Sequence, residues 1–130
     1  MKELFEKLKK LENEISSEKG QFVLFGIFLR EDAPGKYDLL VSAPWMETDK
    51  KQSLEYLAKK ISSKLNPNEL LSLSRIVMLE KSNPALEAIL KAVHVKQGAV
   101  EVKNSDFSGV QISHACISTS VSNVSESGTG

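Results

Sequence analysis

His114 and Cys116 stand two residues apart in the alternating run from Val110 to Ile117, so on a strand they share one face with Val110 and Ile112. An imidazole and a thiol side by side are the beginning of a transition-metal site or of a nucleophilic pair. Each needs more than the pair. A tetrahedral zinc site takes further ligands, and the other histidine, His94, has no cysteine pair near it in the chain. A cysteine nucleophile needs its base within hydrogen-bond reach and a third group to orient that base. The spacing is therefore read as packing. Asp32, Asp38, Glu47 and Asp49 offer oxygen ligands to a hard cation if the strand ends share an edge. Acids gathered at loops and caps are ordinarily solvated, so no metal is assigned to them.

Two further constellations bear on binding. Residues 50 to 64 carry Lys50, Lys51, Lys59, Lys60 and Lys64 against the single acid Glu55, a basic face suited to phosphate. Nucleic-acid recognition also calls for arginine or aromatic side chains, and this segment has only Tyr56, so the lysines are read as a solvated face and nucleic acid is not an expected partner. Trp45 follows Pro44 and precedes Met46 at the end of a predicted strand. An apolar tip there would anchor a protein partner or a second copy of the chain, and Pro44, Trp45 and Met46 are the interaction site expected from sequence. The competing reading is that Trp45 caps the core of its own domain.

The elements that must position these groups are legible in outline. Leu4, Phe5, Leu8, Leu11 and Ile15 recur at helical spacing among Lys and Glu, which predicts an amphipathic helix over residues 2 to 17 that ends at Gly20. Phe22 to Leu29 is apolar without alternation, as in a strand buried on both faces. Pro34 and Gly35 suit a tight turn, which predicts a hairpin to a second strand, Tyr37 to Ala43. On it Tyr37, Leu39, Val41 and Ala43 face one way and Asp38, Leu40 and Ser42 the other. Thr48 or Asp49 caps a helix running to Leu65, and Asn66-Pro67 opens a short turn through Leu71. A third strand, Arg75 to Leu79, leads to a helix capped by Asn83 and started by Pro84. Alternation at residues 99 to 103 and 110 to 117 predicts two last strands, joined through the turn-rich residues 104 to 109.

These readings give one α+β domain over residues 1 to 117. Its mostly antiparallel sheet has about five strands, covered mainly on one face by three helices, in the order α-β-β-α-β-α-β-β. Residues 118 to 130, rich in Ser and Gly, are expected to form a flexible tail.

The chain has 130 residues and 17 basic against 17 acidic side chains, so it lacks the net field that steers proteins onto nucleic acid or anionic membranes. The apolar run at residues 22 to 29 is too short to span a bilayer and has no basic leader, so no signal peptide or membrane anchor is expected. Cys116 is the single cysteine and has no partner for an intrachain disulfide. A cytoplasmic location follows as the expectation.

Leu24-Phe25-Gly26 followed by Tyr37-Asp38-Leu39-Leu40-Val41 resembles the minimal nucleotidyltransferases, in which a strand ending in Gly-Ser precedes a strand carrying Asp-x-Asp. The resemblance covers residues 20 to 95 and implies an α/β fold with a short helix across residues 27 to 33 and parallel strands. It also implies Gly26 near phosphate, Asp38 as a Mg ligand, and a nucleoside triphosphate as substrate. Asp38 matches the second Asp of the pair, while Lys36 stands at the first and Ile27 replaces the Ser. A hairpin at Pro34-Gly35 is the competing arrangement. Because the residues assemble no set of acid, base and nucleophile, the function expected from sequence is a non-catalytic binding or protein-interaction module without cofactor. Self-association would run through a sheet edge or the first helix.

Overall fold

The computed structural model describes residues 2–32 and 35–122. The chain runs as α1 (Lys2–Lys19), β1 (Leu24–Arg30), β2 (Tyr37–Ser42), a 3₁₀ turn (Pro44–Met46), α2 (Lys50–Lys64), the short α3 (Pro67–Ser72), β3 (Leu73–Met78), α4 (Pro84–Ala92), β4 (Val100–Phe107) and β5 (Val110–Ser120). The five strands form one mixed sheet in the order β3-β2-β1-β5-β4, with β2 and β3 parallel and the remaining neighbours antiparallel. This is the α+β class expected. No helix among the described residues is long and apolar enough to cross a membrane.

β1 and β2 pair antiparallel, with Leu24 opposite Ser42 and Phe28 opposite Asp38. Gly35 takes the positive φ that its turn was expected to need, 85°, while Pro34 lies outside the described residues. The alternative α/β arrangement, with parallel strands and a helix over residues 27 to 33, is thereby corrected: β1 is extended through Arg30. The parallel pair is instead β2 and β3, since α2 and α3 carry the chain back along the sheet before β3 begins, as a parallel connection requires.

The helices lie on both faces, not mainly on one. α1 and α2 contribute Leu4, Leu8, Leu11, Ile15, Leu57 and Ile61 to a core with Phe25, Ile27, Leu39 and Val41. α4 contributes Leu86 and Ile89 to a second core with Leu24, Phe28, Leu40, Ile112, Ala115 and Ile117. A strand that is apolar on both faces needs cover on both, and a single layer of helices leaves half of β1 in water. Burying a Leu, Ile or Phe side chain stabilises the fold by about 1.5–3 kcal/mol, so α1's stripe alone is a major contribution. That stripe is consumed by the chain's own core.

β5 shapes the middle of the sheet. Its register with β1 slips between Phe25 and Gly26 and again between Leu29 and Arg30, which leaves Ser118 and Ser113 as the extra residues. The extra Ser113 donates its hydroxyl to the Leu29 carbonyl beside it on β1 at 3.1 Å, and the Ser118 hydroxyl lies 3.2 Å from the Phe25 carbonyl. Side chains on either side of such a bulge change face. His114 and Cys116 therefore do not share a face with Val110 and Ile112. Cys116 packs with the α1 and α2 core, and Val110 and Ile112 belong with α4. On β4, Asn104 at φ 47° shifts the phase opposite Ser113, so the β4–β5 register stays intact.

Two expected boundaries move. The link expected at residues 104 to 109 is mostly strand, and only Ser108 and Gly109, at φ 55° and 91°, form the turn between paired Phe107 and Val110. β5 also runs three residues past Ile117, where the tail was expected to begin. Ser118, Thr119 and Ser120 are buried and hydrogen-bonded, and residues 123 to 130 lie outside the described residues.

Candidate functional site

The strand order brings Arg30 at the end of β1, Asp38 at the start of β2 and Arg75 on β3 to one end of the sheet. Asp38 is opposite Phe28 on one side and Arg75 on the other. Its carboxylate is almost fully buried and is held by two guanidinium groups: Arg30 Nε donates at 2.9 Å, and Arg75 Nε lies at 3.3 Å. A buried carboxylate needs such partners, because an unpaired charge in that position costs several kcal/mol. Arg30 turns a second nitrogen to Asp32 at 3.0 Å. Arg75 is half exposed, and Asp38 is its ion-pair partner among the described residues.

These three side chains line a cavity of about 100 Å³ together with Phe28, Leu40, Val77, Leu79, Ile89 and Phe107. Its origin is the length of α4. Nine residues make a helix of about 14 Å, too short to cover the whole face of a five-stranded sheet. A neighbouring hollow shares Arg30, Arg75 and Val110 with the cavity and adds Glu31, Asp32 and Gln111. The arrangement suits a ligand with a small apolar body and a polar head.

The residues implied by the nucleotidyltransferase resemblance do not form a site. Gly26 sits mid-strand between Leu40 and Ile117, where an added Cβ would come within 2.9 Å of the Cys116 carbonyl oxygen. Glycine is required there by the close approach of β5 at its bulge, not by phosphate. Asp38, two rungs away, directs its carboxylate to two arginines.

The expected interaction site is likewise rearranged. Met46 is fully buried in the core, and Trp45 is half-buried. The indole donates to the Gly20 carbonyl at 3.1 Å and packs edge-on against Phe22 and Tyr56. Trp45 thus locks the end of α1 onto α2, and only Pro44 is exposed. Among the lysines of α2, Lys60 pairs with Glu18, Lys64 with Glu14 and Lys50 with Glu80, which neutralises much of that face locally. The four acids do not converge. Asp32 pairs with Arg30, Asp38 is buried, Glu47 accepts from the Lys81 backbone, and Asp49 caps α2 through the Gln52 amide.

Two groupings escape a reading of the sequence. On β4, Glu101 pairs directly with Cys116 and hydrogen-bonds His114, Oε2 to Nε2, at 2.6 Å. One donor atom from each of Glu101, His114 and Cys116 lies within 4.8 Å of the other two. Burial pushes the Cys116 thiol up, which argues against a nucleophile. The second grouping is Glu12 on α1, 2% exposed, whose two carboxylate oxygens accept from Ser118 at 2.6 Å and Thr119 at 2.5 Å. Burial holds Glu12 above the usual carboxylate range, against the lowering pull of those hydroxyls and of Lys9. Adjacent residues on a regular strand face opposite ways, and the Ser118 bulge is what lets both hydroxyls reach one carboxylate.

Comparison with protein-family models, with curated proteins and with solved structures finds no match for this chain. The functional reading therefore rests on the geometry above.

Proposed function

We propose that the domain is a non-catalytic binding module for a small carboxylate with an apolar body, such as an aromatic or branched-chain acid. The supporting observation is the largely apolar cavity that Arg30, Asp38 and Arg75 help to line. A pocket with apolar walls and a few convergent polar groups is the common form of a small-molecule site, and this one, at about 100 Å³, has room for a branched alkyl group or part of one ring. Arg75 is the anchor. Its Nε serves Asp38, which leaves the terminal nitrogens of its guanidinium for a ligand carboxylate. Amide shift changes on adding benzoate, benzylamine or toluene test this reading. Benzoate is expected to move residues around Phe28 and Ile89 with saturation, and Arg75→Ala to weaken it about tenfold, a loss of about 1.4 kcal/mol. Equal responses to benzoate and benzylamine, or no saturable response, would discard the carboxylate reading.

A second reading, a protein partner or a second copy of the chain, is favoured by the outer edge of β3. Among the described residues β3 pairs only with β2, which leaves its other edge for strand addition. Beside it, Leu71 is the one exposed large apolar side chain among the described residues, at 71%. Mass in solution over a range of concentrations is expected to show a dimer that Leu71→Glu weakens. A wild-type monomer throughout would rule out self-association at this edge.

A further inference from the structure

We propose that Glu101, His114 and Cys116 form a three-ligand site for a thiophilic divalent transition ion of the zinc class, with the fourth coordination position left to water or an exogenous ligand. The argument begins with the hairpin. Pairing of β4 with β5 sets Glu101 opposite Cys116 and Lys103 opposite His114, so Glu101 and His114 are diagonal neighbours. His114 and Cys116, two apart on β5, face the same way. Three different elements of the ligand set, a carboxylate, an imidazole and a thiol, are thus fixed by strand register and not by loops.

The spacing fits the ion. Zinc bonds of about 2.0–2.3 Å place tetrahedral ligand atoms about 3.3–3.8 Å from one another. The three donor atoms lie within 4.8 Å of one another, and the Glu101 to His114 contact is 2.6 Å. Binding would draw the sulfur inward by at most about 1 Å and open the hydrogen-bonded pair by a little less, movements that side-chain rotation supplies. The imidazole Nε2 that now hydrogen-bonds Glu101 is the one that would take the metal, as a neutral ring whose proton sits on Nδ1, so the ion displaces the hydrogen bond and the proton released is that of the Cys116 thiol as it becomes a thiolate.

The donor set also selects. A thiolate with an imidazole favours zinc or cobalt over magnesium and calcium, which prefer all-oxygen sites. Glu101 is exposed and His114 and Cys116 are half-buried, so the open position points to solvent. Three protein ligands with one open position is the pattern of reactive zinc sites, whereas structural zinc is closed by a fourth ligand. Lys103 lies near enough to Glu101 to act on it electrostatically, and its charge opposes a divalent ion.

Cobalt(II) titration of the full, untagged, reduced chain provides the test. The expected result is one equivalent bound, with a thiolate-to-cobalt charge-transfer band in the near ultraviolet that zinc then displaces. Cys116→Ser should remove the band. His114→Ala and Glu101→Gln should each weaken binding by at least about tenfold, a loss seen even when outer-shell partners of metal ligands are removed. His94→Ala should leave the titration unchanged. Absence of the band in the wild-type chain, its survival in Cys116→Ser, or an equal loss in His94→Ala would each overturn the site. Glu101 is exposed, so its variant is expected to fold and remains informative if a half-buried substitution does not.

Discussion

On one face of the sheet α1 and α2, of 18 and 15 residues, lie over Phe25, Ile27, Leu39 and Val41. On the other, the nine-residue α4 packs with Leu24, Leu40 and Ile117 and leaves Phe28, Val77 and Ile112 beside a cavity. The central strand β1 is apolar on both sides, so the difference there lies in how much helix the chain devotes to each. The long-helix face is closed and further secured by polar contacts between helices, Tyr56 and Lys60 with Glu18 among them. The short-helix face keeps an opening, and its one buried charge, Asp38, sits at that opening with two arginines. In this domain the closed face carries stability and the incompletely covered face has room for a ligand.

The largest effect should come from the closed face. Leu57 on α2 is fully buried in that core. Leu57→Ala removes its packing where long helices leave little freedom to collapse, and is expected to cost about 2–5 kcal/mol. Chemical denaturation measures the loss directly. A cost as small as that of truncating a cavity-lining residue such as Val77 would erase the distinction between the two faces.

How much of this was legible in the sequence differs between the faces for a physical reason. Helices announced by local signals came through: Gly20 ends α1, and Asn66-Pro67 and Asn83-Pro84 open α3 and α4 where their capping chemistry says. Which face α4 covers was not legible, because β1 is apolar on both sides and gives no preference. Arg75 reaches Asp38 only through the parallel pairing of β2 with β3, a consequence of the crossover and not of any local pattern. Glu101 joins His114 and Cys116 only through a register set by the turn at Ser108 and Gly109, and Ser is a rare residue at positive φ. The Ser-rich stretch from Ser118 reads as a tail by composition. It is buried because its hydroxyls meet the carboxylate of Glu12, more than a hundred residues earlier.

Glu12 gives the intermediate effect and sharpens the comparison, since it ties α1 to β5 within the closed face. Its folded pKa is raised above the ordinary 4.5, chiefly by burial. Between the ordinary value and the raised one the folded chain holds a proton that the unfolded chain has lost, so stability falls as pH rises through that window and is highest, as far as this group is concerned, below it. Glu18, Glu69 and Glu101 are shifted the other way, so the whole-protein profile mixes both signs. The stability of wild type minus that of Glu12→Gln isolates the one group. That difference is expected to decline from about pH 4.5 upward, the amide remaining uncharged while the two hydroxyls rotate to satisfy it. A flat difference would mean that Glu12 stays ionised without penalty and that the closed face is wetter than its burial implies.

The smallest stability effect belongs to the open face, at Ala85 in the first turn of α4, whose side chain borders the cavity. On a closed face an added isobutyl group forces neighbours off their rotamers at a cost of about 1–3 kcal/mol. Here Ala85→Leu has about 100 Å³ to enter, and each methylene buried without strain is worth about 0.8 kcal/mol. The two tendencies should nearly cancel, leaving stability within about 1 kcal/mol of wild type while the site for an apolar ligand body is filled. The variant therefore separates room from stability in one molecule. If Ala85→Leu unfolds the domain as Leu57→Ala is expected to, the cavity is an essential part of the packing and the two faces are alike; if it folds normally yet still binds benzoate as wild type does, the ligand lies elsewhere than between α4 and the sheet.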